Sequence, residues 1–161
     1  MIFYAECYNQ RRVINILWGK INIRHLSGRG KFFSQIKEGK EKKKYLALLD
    51  EDPQTDSPTQ KLLLKVGFEL VEEKEGIKLF KDKDKNLVIT LSPDLEEWIY
   101  NVAKKEGIKL SDFGFSDNPE SFPDEAKVSP SKFQQLIHNL LNKKNKELRY
   151  LKGLLIEIIK S

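Results

Sequence analysis

Two short apolar runs of the sequence end in carboxylates, and carboxylates at such positions can hold a divalent metal ion. Glu6 directly follows residues 2–5, and Asp50 and Asp52 follow residues 45–49. Short unbroken apolar runs predict strands that are buried on both faces of a parallel sheet. The carboxyl ends of parallel strands form the edge at which open α/β folds place ligands and catalytic groups. We therefore expect the three acids to lie together at one edge of a sheet.

Carboxylates that lie close together in this way indicate a binding site for a metal ion. Without a counter-ion they repel one another and lose hydration, whereas a divalent cation removes that cost. Ligands that are all oxygen select hard ions, so Mg²⁺ or Mn²⁺ is expected, and such ions hold phosphates and activate water for phosphodiester cleavage. A further candidate ligand is Glu96, which follows the apolar run 87–91. At about 100° per residue it lies at the border of the apolar face of the next helix, whereas Glu97 points to solvent.

The same acids also have ordinary structural interpretations. Glu51 and Asp52 stand just before Pro53 and are typical of an acidic turn. Glu6 can form a salt bridge with a neighbouring lysine or arginine. The residues alone leave these alternatives open beside the metal-site interpretation.

Composition narrows the class of protein. The 161 residues fit one domain, and 29 Lys and Arg against 24 Asp and Glu give a net charge of +5, which indicates a mixed surface and not a histone-like one. The single cysteine, Cys7, excludes an internal disulfide and a multi-cysteine zinc site, and it favours a reducing cytoplasm. The N-terminus lacks the pattern of a signal peptide, and no stretch of about 18 apolar residues is present. We therefore expect a cytoplasmic protein with no membrane partner.

Apolar periodicity predicts an α/β fold, with a mainly parallel sheet flanked by helices and a helical C-terminal extension. Residues 106–128 are rich in proline and acids, and they are interpreted as a loop that acts as a connector or flap. Residues 129–161 are predicted to form helices whose apolar face packs on the sheet or on a second copy, which would give a homodimer. The whole chain, 1–161, is predicted to be a single domain. Helices are predicted from Gln10 until Gly19 stops the pattern, over 32–36, over 58–66, and from the Ser92-Pro93 cap to near Gly107. Further strands are predicted over 20–26, 68–70, 77–80 and 87–91.

The order of these features resembles a known family. A strand-end Glu6, a turn with Gly28 or Gly30, and the Asp-x-Asp of residues 50–52 resemble the TOPRIM domain of topoisomerases, primases, small ribonucleases and OLD-family nucleases. The pair at residues 95–96 resembles the extra acidic element of the OLD-like branch. The resemblance covers residues 1–105 and implies a parallel sheet flanked by helices.

The resemblance also implies roles for individual side chains. Asp50 and Asp52 would bind Mg²⁺ or Mn²⁺, Glu6 would ligate a metal or act as a general acid or base, and Glu96 would complete a second metal site. Phosphate oxygens would be held by a basic set that consists of Arg29, Lys31 and Arg11.

The function implied is that of a Mg²⁺-dependent phosphodiesterase or nuclease acting on DNA or RNA. Nuclease-type members carry Glu-Gly followed by a further acid, whereas this chain reads Glu-Cys-Tyr-Asn from Glu6 onward. Since the side chain of Cys7 would restrict the approach of a phosphate, the alternative is a catalytically inactive TOPRIM-like binding or interaction module. A receiver-like domain with Asp50 as phosphoacceptor is a third interpretation, but the second strand-one acid of that class is not apparent.

Overall fold

A computed structural model describes residues 1–19, 21–39 and 43–160. The chain divides into two compact units. The first comprises Met1–Arg11 and Asn22–Leu95, and the second comprises Arg12–Ile21 and Glu96–Ser161. The prediction of a single domain stays a prediction, and the two units are described separately.

The first unit is built on a six-stranded sheet. Its strands are β1 (Ile2–Ala5), β2 (Ile23–His25), β3 (Tyr45–Asp50), β4 (Glu69–Lys74), β5 (Ile77–Lys81) and β6 (Leu87–Leu91). Their order across the sheet is β2-β1-β3-β6-β5-β4. Helix α2 (Arg29–Lys37) connects β2 to β3, and helix α3 (Thr59–Lys65) lies between β3 and β4. The strand predicted over 20–26 is shorter in the structure, and Lys20 lies outside the described residues.

The sheet is mixed, which corrects the prediction of a mainly parallel one. Strands β2, β1, β3 and β6 pair in parallel, but β5 pairs antiparallel with both β6 and β4. The turn between β4 and β5 consists of Glu75 and Gly76, whose φ angles are 55° and 76°. Two successive residues in the left-handed region favour a tight hairpin, and a hairpin pairs its strands antiparallel. The α/β class and the flanking of the sheet by helices are confirmed.

One face of the sheet carries an aromatic-rich core. Phe32 of α2 and Leu63 of α3 pack against Tyr4 of β1 and against Ala47 and Leu49 of β3. The residues of β3 that alternate with these, Leu46 and Leu48, are buried as well. Strand β3 is therefore buried on both faces, as its unbroken apolar sequence predicts.

The second unit is helical. Helices α1 (Tyr8–Trp18) and α4 (Leu95–Lys105) begin in the first unit and continue in the second. The second unit also contains helices α5 (Phe122–Val128), α6 (Pro130–Asn142) and α7 (Lys146–Lys160). The helices predicted in the C-terminal extension are confirmed.

The segment 106–128 differs from the predicted loop. It contains a 3₁₀ helix (Leu110–Phe113) and, at its end, helix α5. Leu110, Phe115 and Phe122 are buried, and the ring centroids of the two phenylalanines are 5.0 Å apart. Because these apolar anchors recur every five to seven residues, the segment packs as part of the unit, which corrects the loop prediction over the two helices.

The apolar face of α7 is already used within the chain. Its side chains Leu148, Leu151, Leu155 and Ile158 are buried. The predicted homodimer through the C-terminal helices stays a prediction. Within the described ranges, no helix has the length and apolarity that a membrane crossing requires.

Candidate functional site at the carboxyl edge of the sheet

Strand pairing brings Glu6 and Asp50 together. Strands β1 and β3 are parallel neighbours, with Ala5 opposite Leu48. The Glu6 backbone N–H donates to the Leu48 carbonyl at 3.3 Å, and the Asp50 backbone N–H donates to Glu6 Oε2 at 2.8 Å. The Glu6 carboxylate therefore lies beside the end of β3, while the convergence of the acids on one metal ion stays a prediction.

The Asp50 carboxylate is the centre of a hydrogen-bond network. Asp50 Oδ1 accepts hydrogen bonds from Gln10 Nε2 and from the Leu95 backbone N–H, both at 2.9 Å. Gln10 Oε1 in turn accepts a hydrogen bond from the Glu6 backbone N–H at 2.7 Å. Because Gln10 uses both ends of its amide, it links the end of β1 to the end of β3 and fixes the Asp50 side chain.

Asp52 stands on a strained turn and faces Arg29. Its φ angle is 47°, a left-handed conformation that aspartate tolerates better than most residues, and its backbone N–H donates to the Pro93 carbonyl at 2.9 Å. Arg29 Nε lies 3.9 Å from Asp52 Oδ2. Arg29 Nη1 also donates to Thr59 Oγ1 at 3.0 Å, and this hydroxyl donates to the Asp50 carbonyl at 2.5 Å. The guanidinium therefore ties the acidic turn to the start of α3.

The environment of Glu6 raises the pKa of its carboxyl above the ordinary value. The largest cause is burial, which disfavours the charged form, and the negative charge of Asp52 adds to it. The backbone N–H of Asp50 acts in the opposite direction, as do the backbone N–H and the positive charge of Arg29. A carboxyl with a raised pKa can exchange a proton closer to neutral pH, which suits a general acid or base.

This shift predicts a pH dependence of stability in the metal-free protein. The folded state retains the Glu6 proton at pH values where the unfolded state has released it, so the free energy of unfolding falls as pH rises from about 4 through the raised pKa. Glu6→Gln removes this titration. We expect the stability of the wild type relative to the variant to decline with pH across that window, as measured by urea denaturation in EDTA. A difference that is constant with pH would contradict the prediction.

The other predicted site residues have different positions. Lys31 on α2 and Arg11 on α1 are exposed, and neither makes a polar contact with the three acids within the described part of the chain. Their phosphate-binding role stays a prediction. Glu96 is buried and Glu97 is exposed, as the helical wheel predicts. Glu96 belongs to the second unit, and its role as a metal ligand also stays a prediction.

The carboxylates of this edge are oxygen ligands of the kind that hard metal ions prefer, but the ion would also need ligands from water or a substrate. Among the described residues, no group of three or more His, Cys, Asp or Glu side chains is arranged so that it could hold a metal ion by itself. Magnesium, however, is often bound by one or two carboxylates together with water and substrate phosphates. Binding of Mg²⁺ or Mn²⁺ by Asp50 and Asp52 in this second mode stays a prediction.

Several residues of this edge escape prediction from the sequence. Gln10 has a detectable signal, since it stands four residues after Glu6 and one helical turn brings it back to the strand end. Glu51 is interpreted from the sequence as part of an acidic turn, but it is buried and forms an ion pair with Lys78 of β5. That pairing depends on the antiparallel hairpin and has no local signal.

The second unit contains a basic groove of 620 Å³ between α6 and α7, lined by His138, Leu141, Asn142, Lys144, Arg149, Lys152, Gly153 and Ile156. Lys144, Arg149 and Lys152 are exposed. A groove with several cations and apolar side chains is suited to a phosphate backbone.

Comparisons with protein-family models, with curated proteins and with solved structures found no match for this chain.

Proposed function

We propose that this protein is a cytoplasmic, Mg²⁺- or Mn²⁺-dependent phosphodiesterase or nuclease that acts on DNA or RNA. The proposal depends above all on one observation, the 2.8 Å hydrogen bond that joins the Asp50 backbone N–H to Glu6 Oε2 at the carboxyl edge. Asp52 stands two residues further on and has the Arg29 guanidinium 3.9 Å away. Acids that can hold a metal ion and an arginine that can hold a phosphate are groups that metal-assisted phosphodiester hydrolysis can use.

Each of these residues has a definite role in the proposal. Asp50 and Asp52 would hold the ion, which when bound would supply Lewis-acid polarisation of a phosphoryl oxygen. Glu6, with its raised pKa, would accept a proton from the attacking water or donate one to the leaving oxygen. Arg29 would donate hydrogen bonds to phosphate oxygens in exchange for its hydroxyl partners. The TOPRIM resemblance of residues 1–105 is part of this proposal.

A catalytically inactive binding module is the second candidate. It is favoured by the use of the carboxylates inside the fold: Asp50 Oδ1 accepts two hydrogen bonds, and Glu6 Oε2 accepts one. In that case the acids would serve to join the strand ends, and the basic groove would carry the binding.

Thermal unfolding with added Mn²⁺ separates the two candidates. A ligand at 100 times its dissociation constant stabilises the folded state by about 2.7 kcal/mol, so the melting temperature of the wild type should rise by several degrees. Asp50→Asn should lose this rise, whereas Glu97→Gln, an exposed acid, should keep it. Absence of a rise in the wild type, or an equal rise in Asp50→Asn, would contradict the metal site and favour the binding module.

Nucleic-acid binding by the basic groove gives a further prediction. The triple variant Lys144→Ala, Arg149→Ala, Lys152→Ala should bind a labelled DNA duplex more weakly and with a shallower salt dependence. The slope of log affinity against log salt should decrease in magnitude by about 0.9 for each phosphate that the variant no longer neutralises. Fluorescence anisotropy between roughly 50 and 200 mM salt measures this, in EDTA to prevent cleavage.

The matched control for this measurement carries alanine at three other exposed lysines, Lys81, Lys83 and Lys105. It changes the net charge as much as the groove variant does, but it leaves the groove intact and should bind with the wild-type slope. If both triple variants show the same slope, binding reflects overall charge and the groove is not the interface.

A further inference from the structure

Tyr8 is the most exposed of the Phe, Trp and Tyr side chains, all of which lie in the described ranges. Its exposed fraction is 59%, whereas every other member of this set is buried or half-buried. It is the first residue of α1 and belongs to the first unit. A single exposed apolar group is ordinary in a folded protein, so the significance of Tyr8 depends on how its ring is held.

The ring of Tyr8 is supported by His25. The two rings are stacked, with their centroids 4.1 Å apart and an interplanar angle of 11°. Because His25 covers one face of the tyrosine ring, the exposed surface of the ring is its opposite face, called here the outer face, together with the ring edge. The contact also restricts rotation of the Tyr8 side chain. Stacking of a ligand on the outer face would therefore cost less side-chain entropy than it would on a freely rotating ring.

The stack formed by Tyr8 and His25 lies at the same edge of the sheet as the proposed hydrolytic site. His25 ends β2 and is the register partner of Ala5, which ends β1 and directly precedes Glu6. Tyr8 stands two residues after Glu6, so their Cα atoms are at most about 7.6 Å apart, twice the spacing across one trans peptide. A nucleotide on the stack would therefore be close to a phosphate held beside Glu6.

A cationic side chain accompanies the stack. Arg11 is exposed, belongs to the first unit, and stands three residues after Tyr8 on α1. Residues three apart on a helix are neighbours on its surface, with about 5–6 Å between their Cβ atoms. A base on the Tyr8 ring and a phosphate on the Arg11 guanidinium can thus belong to the same short stretch of a strand. The phosphate-binding role predicted for Arg11 then has a defined partner.

The chemistry of this surface favours a base that is not already stacked on both sides. Inside a duplex both faces of a base are covered by its neighbours, whereas the bases of a single strand can be splayed out and stacked on aromatic side chains. Such stacking tolerates any sequence, because every base has a π-face. The surface is therefore better suited to a single strand than to a duplex.

We propose that the outer face of Tyr8, supported by His25 and accompanied by Arg11, stacks an unpaired base of a single-stranded nucleic acid. The strand is thereby positioned at the carboxyl edge of the sheet. The inference rests on the proposed function, to which it adds the class of substrate, single-stranded over duplex. Stacking needs no metal ion, so the surface can be tested apart from cleavage.

The direct test compares oligothymidylate with an abasic strand of the same length, by fluorescence anisotropy in EDTA. Both strands carry the same phosphates, and only the first has bases. The starting protein is the variant Lys144→Ala, Arg149→Ala, Lys152→Ala, in which the basic groove is weakened. It should bind oligothymidylate at least about fivefold more tightly than the abasic strand, which is the lower end of what stacking of one base contributes. Equal affinities, or no binding of either strand, would overturn the proposal.

Variants of Tyr8 in the same protein identify the ring. Tyr8→Leu keeps an apolar side chain without an aromatic face and should bind both strands equally, whereas Tyr8→Phe keeps the ring and should retain the preference. The matched control is Val71→Ala, which truncates a 56% exposed side chain on β4 and should also retain the preference. Retention of the preference by Tyr8→Leu, or its loss in Tyr8→Phe with an unchanged melting temperature, would overturn the assignment of Tyr8.

Arg11→Ala gives a second readout that does not depend on a change at Tyr8. It removes one phosphate contact and leaves the ring, so the slope of log affinity against log salt on the single strand should decrease in magnitude by about 0.7. The preference for the strand with bases should remain. Tyr8→Leu should do the reverse, with an unchanged slope and no preference. An unchanged slope in Arg11→Ala would overturn the role of Arg11.

Cleavage with Mn²⁺ separates this inference from the proposed function. Tyr8→Leu in the otherwise wild-type chain should raise KM for a single-stranded substrate and leave cleavage of a long duplex unchanged. If it cleaves single strands with the wild-type KM, the stack is overturned and the hydrolytic site stands. If the wild type does not cleave, but the preference that depends on Tyr8 is present in EDTA, the hydrolytic proposal fails and the binding surface stands.

Discussion

Asp52→Asn is expected to abolish metal-dependent cleavage and to leave the fold intact. Asparagine preserves the size of the side chain and tolerates the left-handed φ of 47°, so the turn should keep its conformation. It removes the negative charge that the ion requires. Since a bound ion supplies several kcal/mol of transition-state stabilisation, the rate should fall by on the order of 100-fold or more. Initial rates on labelled DNA and RNA with Mn²⁺ measure the loss.

The matched control for this variant is Asp84→Asn, an exposed aspartate in the turn between β5 and β6. It makes the same chemical change at a site with no proposed role and should cleave at the wild-type rate. Melting temperatures of all three proteins should agree within a few degrees. If Asp52→Asn folds and cleaves as fast as the wild type, Asp52 is not a metal ligand.

Asp50→Ala is expected to give the largest loss of stability. The Asp50 carboxylate accepts hydrogen bonds from Gln10 Nε2 and the Leu95 backbone N–H, and alanine would leave both donors unpaired. Each unpaired donor costs about 1–3 kcal/mol, so we expect a decrease of about 2–6 kcal/mol in the free energy of unfolding. Asp50→Asn retains an oxygen that can accept both bonds, and its decrease should be clearly smaller. Urea denaturation of the two variants measures the difference.

The pair of variants at Asp50 separates a structural role from a chemical one. Asp50→Asn should be close to the wild type in stability but inactive with Mn²⁺, whereas Asp50→Ala should lose both properties. Asp56→Ala, in the exposed part of the loop before α3, serves as the control for removal of an aspartate. If Asp50→Ala is no less stable than this control, the network around Asp50 does not hold the strand ends together.

Much of the candidate site could be predicted because its signals are local. The apolar runs that form β1 and β3 are unbroken, and the acids that follow them are adjacent in sequence to the strand ends. Parallel pairing of those strands then brings Glu6 beside Asp50 with no further information. The orientation of Glu96 and Glu97 could likewise be predicted from helical periodicity alone.

The remaining features depend on contacts between distant segments. The antiparallel pairings of β5 with β4 and with β6 make the sheet mixed. A strand is predicted only over 68–70, whereas β4 extends to Lys74, because its exposed residues lack the apolar alternation that would predict its full length. Burial of Glu51 follows from its pairing with Lys78, 27 residues away, which nothing in the acidic turn indicates. Segment 106–128 has the proline and acid content of a loop, and only the spacing of its buried aromatics shows that it packs as short helices.

The most direct test of the proposed function is cleavage of end-labelled single- and double-stranded DNA and RNA by the full chain, with Mn²⁺ or with EDTA, beside Asp52→Asn purified in the same way. We predict cleavage of at least one substrate by the wild type with Mn²⁺, and none with EDTA or by the variant. Cleavage that is equal in the wild type and Asp52→Asn, or no cleavage of any substrate by the wild type, would contradict a metal-dependent hydrolytic site at the edge formed by Glu6, Asp50 and Asp52.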